Sequence, residues 1–350
     1  MNSSNDFNSQ FSSNSFLFKQ THHFNQSPDI RSMETIQHTN VQTNGVNLHV
    51  ATAGPVTGPP VLLLHGFPEL WYSWRSQILF LSSAGYRVIA PDLRGYGDSD
   101  APPSSDSYTA LHIVGDVVGL LDEFGIDKVL LVGHDWGALI AWYCCLFRPD
   151  RIKASVILSV QFFPRNPKMS FIEGFKAVLG DQFYMVRFQE PGKAEKEFAS
   201  VDIREFFKNV MSNRDPSAPY LPGEVKFEGV PPPSLAPWLT PKDIDYYAQK
   251  FSHSGFTGGL NYYRAFDRTW ELTAPWTKAE IKVPVKFIVG DLDLTYHFPG
   301  AQDYINGDAF EKDVPGLEEV IVIGDASHFI NQERPVEINS HIHDFFRNFC

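Results

Sequence analysis

The chain has 350 residues and a mass of 39.5 kDa, with 43% hydrophobic and 14% aromatic residues, the composition of a globular protein with an aromatic-rich interior. Its formal net charge of −12 argues against nucleic acid or an anionic membrane surface as partner, since neither attracts an acidic protein. The three cysteines, Cys144, Cys145 and Cys350, form no disulfide framework and no metal-ligand spacing, and no apolar run is long enough to span a bilayer.

Residues 1–32 are rich in Ser, Asn and Gln, poor in acids and without apolar periodicity. Such a segment buries too little to offset its ordering entropy, which reads as a disordered N-terminal extension or as an upstream start before Met33. The competing reading is an organellar transit peptide, although Arg31 is its only arginine. A reducing, cytoplasmic location suits the rest of the chain.

From residue 41 the pattern is regular. "VQTNGVNLHVATA" places two β-prone runs around Asn44-Gly45, a hairpin signal. "PVLLLHG" (60–66), "YRVIAPD" (86–92) and "DKVLLVG" (127–133) are short apolar runs of the kind expected for strands buried on both faces. Amphipathic helices are predicted over 72–84 and 109–124, an apolar helix after Asp135, and another buried strand over 152–160. Alternation of this kind predicts an α/β fold with a mostly parallel sheet and helices on both faces.

The alternation stops near Phe162. Residues 162–275 carry aromatic-rich helical stretches and a proline run at 229–238, and strands resume at 283–291 and 317–325 before a last helix at about 335–348. The expected organisation is therefore an α/β core of residues 33–161 and 276–350, interrupted by a helical cap at 162–275. Ligands of parallel sheets bind beyond the carboxyl ends of the strands, so the insertion is expected to lie over that edge as a lid.

Four strand ends carry reactive residues: "HGFPE" (65–69), "GHDWG" (133–137), "GDLD" (290–293) and "GDASHF" (324–329). Nucleophile, acid and histidine thus follow one another in the order of the α/β-hydrolases. Gly133 and Gly137 flank Asp135, where a strained turn leaves no space for larger side chains. Taken alone, "GHDWG" also fits an ordinary strand-to-helix turn with Asp135 as N-cap, and His328 alone fits a surface loop. "RGYGDSD" lacks the third glycine of a dinucleotide fingerprint, with Asp100 in its place. Neither a cofactor nor a metal is expected.

"HGFPELWYSWR", "DLRGYGDSD", "GHDWGALIAW" and "DASHF" resemble the soluble epoxide hydrolases, and "NYYRAFDRTWELTAPW" is similar to their plant members. The resemblance covers roughly residues 33–350. It implies an α/β-hydrolase fold with a cap that supplies two tyrosines, carried here by Tyr184 in "DQFYMVRFQ" and Tyr263 in "NYYRAF". Tyr262 competes for the second position, but the family's tyrosine directly precedes an arginine. The resemblance also places the acid at Asp293 rather than Asp291, and suggests a cis peptide before Pro68.

Bond chemistry explains an aspartate at the turn. A serine alkoxide opening an epoxide would leave an ether that water cannot cleave, whereas a carboxylate leaves an ester, whose carbonyl can be hydrolysed. A carboxyl group also needs no base to activate it. The expected mechanism has Asp135 attacking an epoxide carbon while Tyr184 and Tyr263 donate to the departing oxygen. His328, oriented by Asp293, then activates water against the ester, with the backbone N–H groups of Phe67 and Trp136 holding the oxyanion. Side chains of Phe67, Trp136, Trp270 and Phe329 are expected to line an apolar pocket for a lipophilic epoxide of the fatty-acid or aryl class, in a monomer or homodimer. Aromatic residues on cap helices are more often packing, the reading kept for Tyr246, Tyr247 and Tyr262.

Three competitors use the same frame. A haloalkane or haloacetate dehalogenase shares the aspartyl ester but needs no proton for its halide. A silent ligand-binding member usually lacks one of the three catalytic residues, and a serine-type esterase needs serine at position 135.

Overall fold

A computed structural model describes residues 33–217 and 234–350. The expectations for residues 1–32, and for the part of the proline run before residue 234, lie outside the described residues. The strands are β1 (Gln37–Thr43), β2 (Val46–Ala53), β3 (Pro60–Leu64), β4 (Arg87–Pro91), β5 (Val129–His134), β6 (Ile152–Leu158), β7 (Val285–Gly290) and β8 (Leu317–Ile323). They form one sheet in the order β1-β2-β4-β3-β5-β6-β7-β8. Pairing is antiparallel at β1–β2 and β2–β4 and parallel from β4 through β8. The hairpin turns on Asn44 and Gly45, whose φ angles of 47° and 78° are the paired positive values of a tight two-residue turn.

Before the insertion come α1 (Arg75–Ser83), α2 (Ala110–Glu123) and α3 (Trp136–Phe147). Seven described helices follow β6: α4 (Phe171–Leu179), α5 (Tyr184–Arg187), α6 (Lys193–Ala199), α7 (Ile203–Ser212), α8 (Pro241–Ser254), α9 (Thr257–Arg264) and α10 (Phe266–Leu272). No strand occurs among the described residues between β6 and β7. After β7 come α11 (Ala301–Ile305) and α12 (Asp308–Asp313), then α13 (Ile330–Glu333) and α14 (Pro335–Phe346).

Alternation along each strand divides the core into two layers. Leu62 and Leu64 pack with Ile113 and Val117 of α2 and Leu139 of α3. Their neighbours Val61 and Leu63 pack on the opposite face with Ile78 and Leu81 of α1 and Ile342 of α14. Side chains of this kind contribute roughly 1.5–3 kcal/mol each when fully buried, which is why a strand covered on both faces shows no polar alternation. The helix predicted over 72–84 is preceded by a 3-10 turn at Trp71–Trp74 and starts at Arg75. Helices α11 and α12, of five and six residues, are too short to show a 3.6-residue period in the sequence.

The insertion is tied to the core by buried polar contacts. Thr240 and Asp243 form a capping box at the start of α8. Asp243 also accepts from the Tyr72 hydroxyl at 2.9 Å and lies 3.2 Å from Arg75 Nε. Helix α9 descends until Gly258 meets the backbone of Gly95, where a Cβ on Gly258 would lie 2.2 Å from the Gly95 carbonyl oxygen. The glycines of "RGYGDSD" therefore include a seat for this helix, and that seat lowers Tyr263 towards the ends of the strands.

Candidate active site

Asp135 stands between β5 and α3 with φ 53° and ψ −117°, a strained conformation for a non-glycine residue. The turn is tight enough that a Cβ on Gly133 would lie 2.2 Å from the Gly137 carbonyl oxygen, and one on Gly137 2.0 Å from that of Leu64. Parallel pairing with β3 brings the segment after Leu64 alongside, where the Phe67 N–H donates to Asp135 Oδ1 at 2.7 Å. The Phe67-Pro68 peptide is cis. Trp136 opens α3, so its N–H belongs to the first turn, which has no intrahelical carbonyl to serve.

His328 reaches the same point from the segment after β8. Its Nε2 lies 3.4 Å from Asp135 Oδ2, and its Nδ1 lies 2.9 Å from Asp293 Oδ1. Asp293 is fully buried, and its Oδ1 also accepts from the backbone and hydroxyl of Thr295, each at 2.9 Å. Burial raises the Asp293 carboxyl, but His328 outweighs it and holds the group below its ordinary range. At His328 burial disfavours the imidazolium, yet the carboxylates of Asp293 and Asp135 hold the ring well above its ordinary value.

Tyr184 and Tyr263 come from α5 and α9, and their rings lie 6.0 Å apart. Together with Asp135 and His328 they face a cavity of about 30 Å³. Tyr263 is clamped between Phe67 at 5.6 Å, Trp136 at 4.9 Å and Phe188 at 5.2 Å. Burial, with Tyr184 and the charge of Asp135 adding to it, pushes the Tyr263 phenol well above its usual range, so it remains a hydrogen-bond donor.

Of the four expected pocket side chains, Phe67 and Phe329 line this cavity. The other two require correction. The Trp136 ring stands behind Tyr263 against Phe266, at 4.7 Å, and is not part of the wall. Trp270 lies elsewhere, because α10 turns Phe266 and Thr269 inward; the indole donates to the Asn166 carbonyl at 2.7 Å and carries the Arg165 guanidinium over its ring at 4.4 Å. Val210 and Leu294 line the cavity without a sequence signal. Tyr262 donates to the Arg94 carbonyl at 2.9 Å and Tyr246 accepts from Trp71 at 2.9 Å, both contacts between core and insertion.

A second buried layer lies under the site. His134 Nε2 is 2.7 Å from the carbonyl oxygen of His328, and its Nδ1 is 2.7 Å from Glu69 Oε2. A carbonyl only accepts, so Nε2 carries its hydrogen. Glu69 also accepts from the Gly66 N–H at 2.9 Å and from Gln332 at 3.2 Å. Neither Glu69 nor His134 was assigned a role from the sequence, although both sit in the motifs "HGFPE" and "GHDWG". His49, Asp92 and Asp98 also approach one another. His49 is bonded to Asp92 at 2.8 Å and Asp98 is paired with Lys250, so their ligand atoms are already engaged.

Residues 59–197 match the alpha/beta hydrolase fold family. The chain is 68% identical over 318 residues to "Epoxide hydrolase 3" of Siraitia grosvenorii, an alignment covering 91% of this chain and 100% of that one. It superposes on the crystal structure of an epoxide hydrolase from Vigna radiata with a TM-score of 0.87 at 54% identity, covering 91% of this chain and 99% of the other. For potato (Solanum tuberosum) epoxide hydrolase I the TM-score is 0.85 at 52% identity, covering 90% and 100%.

Proposed function

This chain belongs to the epoxide hydrolases of the α/β-hydrolase fold, which add water to an epoxide to give a diol, and from that premise we propose that Asp135 performs the reaction through an ester with its own substrate. The observation that carries the reading is the convergence on Asp135 of the Phe67 N–H at one oxygen and His328 Nε2 at the other. Oδ1 is held by the amide, so Oδ2 is the attacking atom. It displaces the ring oxygen from behind, and that oxygen takes a proton from Tyr184 or Tyr263.

Ester formation prepares the second step. Esterified Asp135 is neutral, which removes one of the two carboxylates that keep His328 protonated. The imidazolium then falls towards its ordinary value and gives up its proton, which restores the tyrosine hydroxyl; the neutral imidazole left behind accepts a proton from water, while Asp293 holds its other nitrogen. Water attacks the ester carbonyl, and the charge that develops on Oδ1 falls on the Phe67 and Trp136 amides. Loss of one such donor costs about 3–4 kcal/mol of transition-state stabilisation.

The described helices of residues 162–275 act in this scheme as the cap that carries both tyrosines and excludes solvent. The apolar wall of Phe67, Val210, Leu294 and Phe329 suits a lipophilic epoxide of the fatty-acid or aryl class. One chain supplies every group, so a monomer suffices. All three cysteines are free, which agrees with a cytoplasmic site of action, and no described helix is long and apolar enough to cross a membrane.

The test is to incubate the purified chain with a panel of epoxides and haloalkanes, assaying diol and halide. Diol from epoxides without halide release is the expected result. Halide release without diol would overturn the reading.

A further inference from the structure

The chamber around Asp135, at about 30 Å³, has room for one or two waters. A second cavity of about 260 Å³ opens between α4, the segment after β6 and the turn at Phe298 and Pro299. Met169 and Val178 line it while remaining 40% and 65% exposed, and they are among the few large apolar side chains so placed.

One lining group is out of keeping with the rest. Gln161 is only 3% exposed, yet no protein group hydrogen-bonds its Oε1. Buried amide oxygens are almost always paired. An unpaired amide oxygen on an apolar wall is suited to a ligand that brings its own hydrogen-bond donor. A hydroxyl both donates and accepts, so it satisfies the amide in either orientation.

The two cavities are separated by phenylalanine rings. Phe175 lines the larger one and meets Phe183 at 5.5 Å. Phe183 in turn meets Phe298 at 5.6 Å and Tyr184, on the reaction chamber, at 4.7 Å. Phe183 and Phe298 are only partly buried, so neither ring is locked in place on all sides.

We propose that the larger cavity is a second substrate compartment, joined to the reaction chamber when Phe183 and Phe298 rotate, and that Gln161 selects epoxides whose apolar chain carries a remote hydroxyl group. This rests on the epoxide-hydrolase reading and adds a substrate class to it. A polar group in the site that a substrate leaves unpaired discriminates against that substrate.

The experiment measures kcat/KM for a homologous series of straight-chain terminal epoxides, each with and without a hydroxyl on its last carbon. At the best-fitting length the wild-type chain prefers the hydroxylated member by about tenfold, and Gln161→Leu brings that ratio to about one. Gly174→Leu fills the compartment, because a Cβ there meets only Met169 Sδ at 3.7 Å. It lowers the ratio of long-chain to short-chain kcat/KM about tenfold. Each readout is a ratio within one protein, so partial loss of folded enzyme cancels. A wild-type series with no hydroxyl preference, or a preference that survives in Gln161→Leu, overturns the role of Gln161. An unchanged chain-length ratio in Gly174→Leu overturns the compartment. Absence of turnover with every epoxide would instead remove the functional reading on which both depend.

Discussion

His328 lies between two carboxylates, with Asp135 Oδ2 3.4 Å from one ring nitrogen and Asp293 Oδ1 2.9 Å from the other. In the proposed cycle the two acids play unequal parts, because only Asp135 would lose its charge. Asp135→Asn imitates that loss without altering the shape of the site. Titration of the His328 ring by NMR is expected to give a lower value in this variant than in the wild-type chain, and an unchanged or higher value would contradict the scheme. The stability linkage has a definite sign. A histidine raised on folding contributes stability that is fully present below its unfolded value of about 6.5 and is lost as pH rises through the folded value. Asp135→Asn is therefore expected to narrow the pH range over which this contribution persists.

Asp135→Ala removes the proposed attacking atom. Diol formation is expected to fall by about ten-thousandfold or more, measured by product analysis on a folded variant. Retention of most of the activity would show that water attacks the epoxide directly.

Replacing His328 by glutamine separates the two half-reactions. Alkylation needs no base, whereas hydrolysis of the ester does, so His328→Gln is expected to accumulate an adduct on the peptide containing Asp135. Steady-state turnover falls by about 10²–10⁴. Intact-protein mass spectrometry after mixing with substrate reads the adduct, and an unmodified mass in an inactive variant would place the histidine before the ester.

Tyr184→Phe combined with Tyr263→Phe removes both hydroxyls and keeps the rings that pack against Phe67, Trp136 and Phe188. Ring opening is expected to drop at least a hundredfold with the near-ultraviolet circular dichroism preserved. Either single variant is expected to keep more activity than the double variant, because one donor remains. A fully active double variant would indicate a leaving group that needs no proton.

Arg75→Met tests the contact between core and insertion. Asp243, 1% exposed, would lose the guanidinium beside it while keeping its place in the first turn of α8. Removal of one partner of a buried ion pair costs roughly 3–5 kcal/mol. Urea unfolding followed by fluorescence checks this. A loss below about 1 kcal/mol would mean that the Tyr72 and Thr240 hydrogen bonds hold Asp243 unaided.

The strands were legible because their physics is local. Val61 to Leu64 must be apolar throughout when both faces are covered, and Asn44-Gly45 must turn wherever it occurs. The turn that carries Asp135 was legible for a similar reason, since the crowding that excludes a Cβ at Gly133 and Gly137 leaves its mark in the residues themselves. The direction of an aromatic ring is a different matter. Phe266, Thr269 and Trp270 share one short helix, and only its packing against the core decides that Trp270 faces Arg165 instead of substrate. The pairing of Glu69 with His134 joins positions 65 residues apart, and nothing in either motif states that they meet. Val210 and Leu294 read as ordinary core residues until the tertiary fold places them beside Asp135.

The tether between the Phe67 amide and one carboxylate oxygen of Asp135 would, under the proposed ester mechanism, give the two oxygens different fates. The free one would depart in the diol at each cycle and be renewed from solvent; the tethered one would stay behind, turnover after turnover. An enzyme worked for many cycles in heavy-oxygen water should therefore carry a single isotopic mark at this side chain, with its original atom still in place beside the replacement. A doubly marked carboxylate would reveal that the group swivels between rounds.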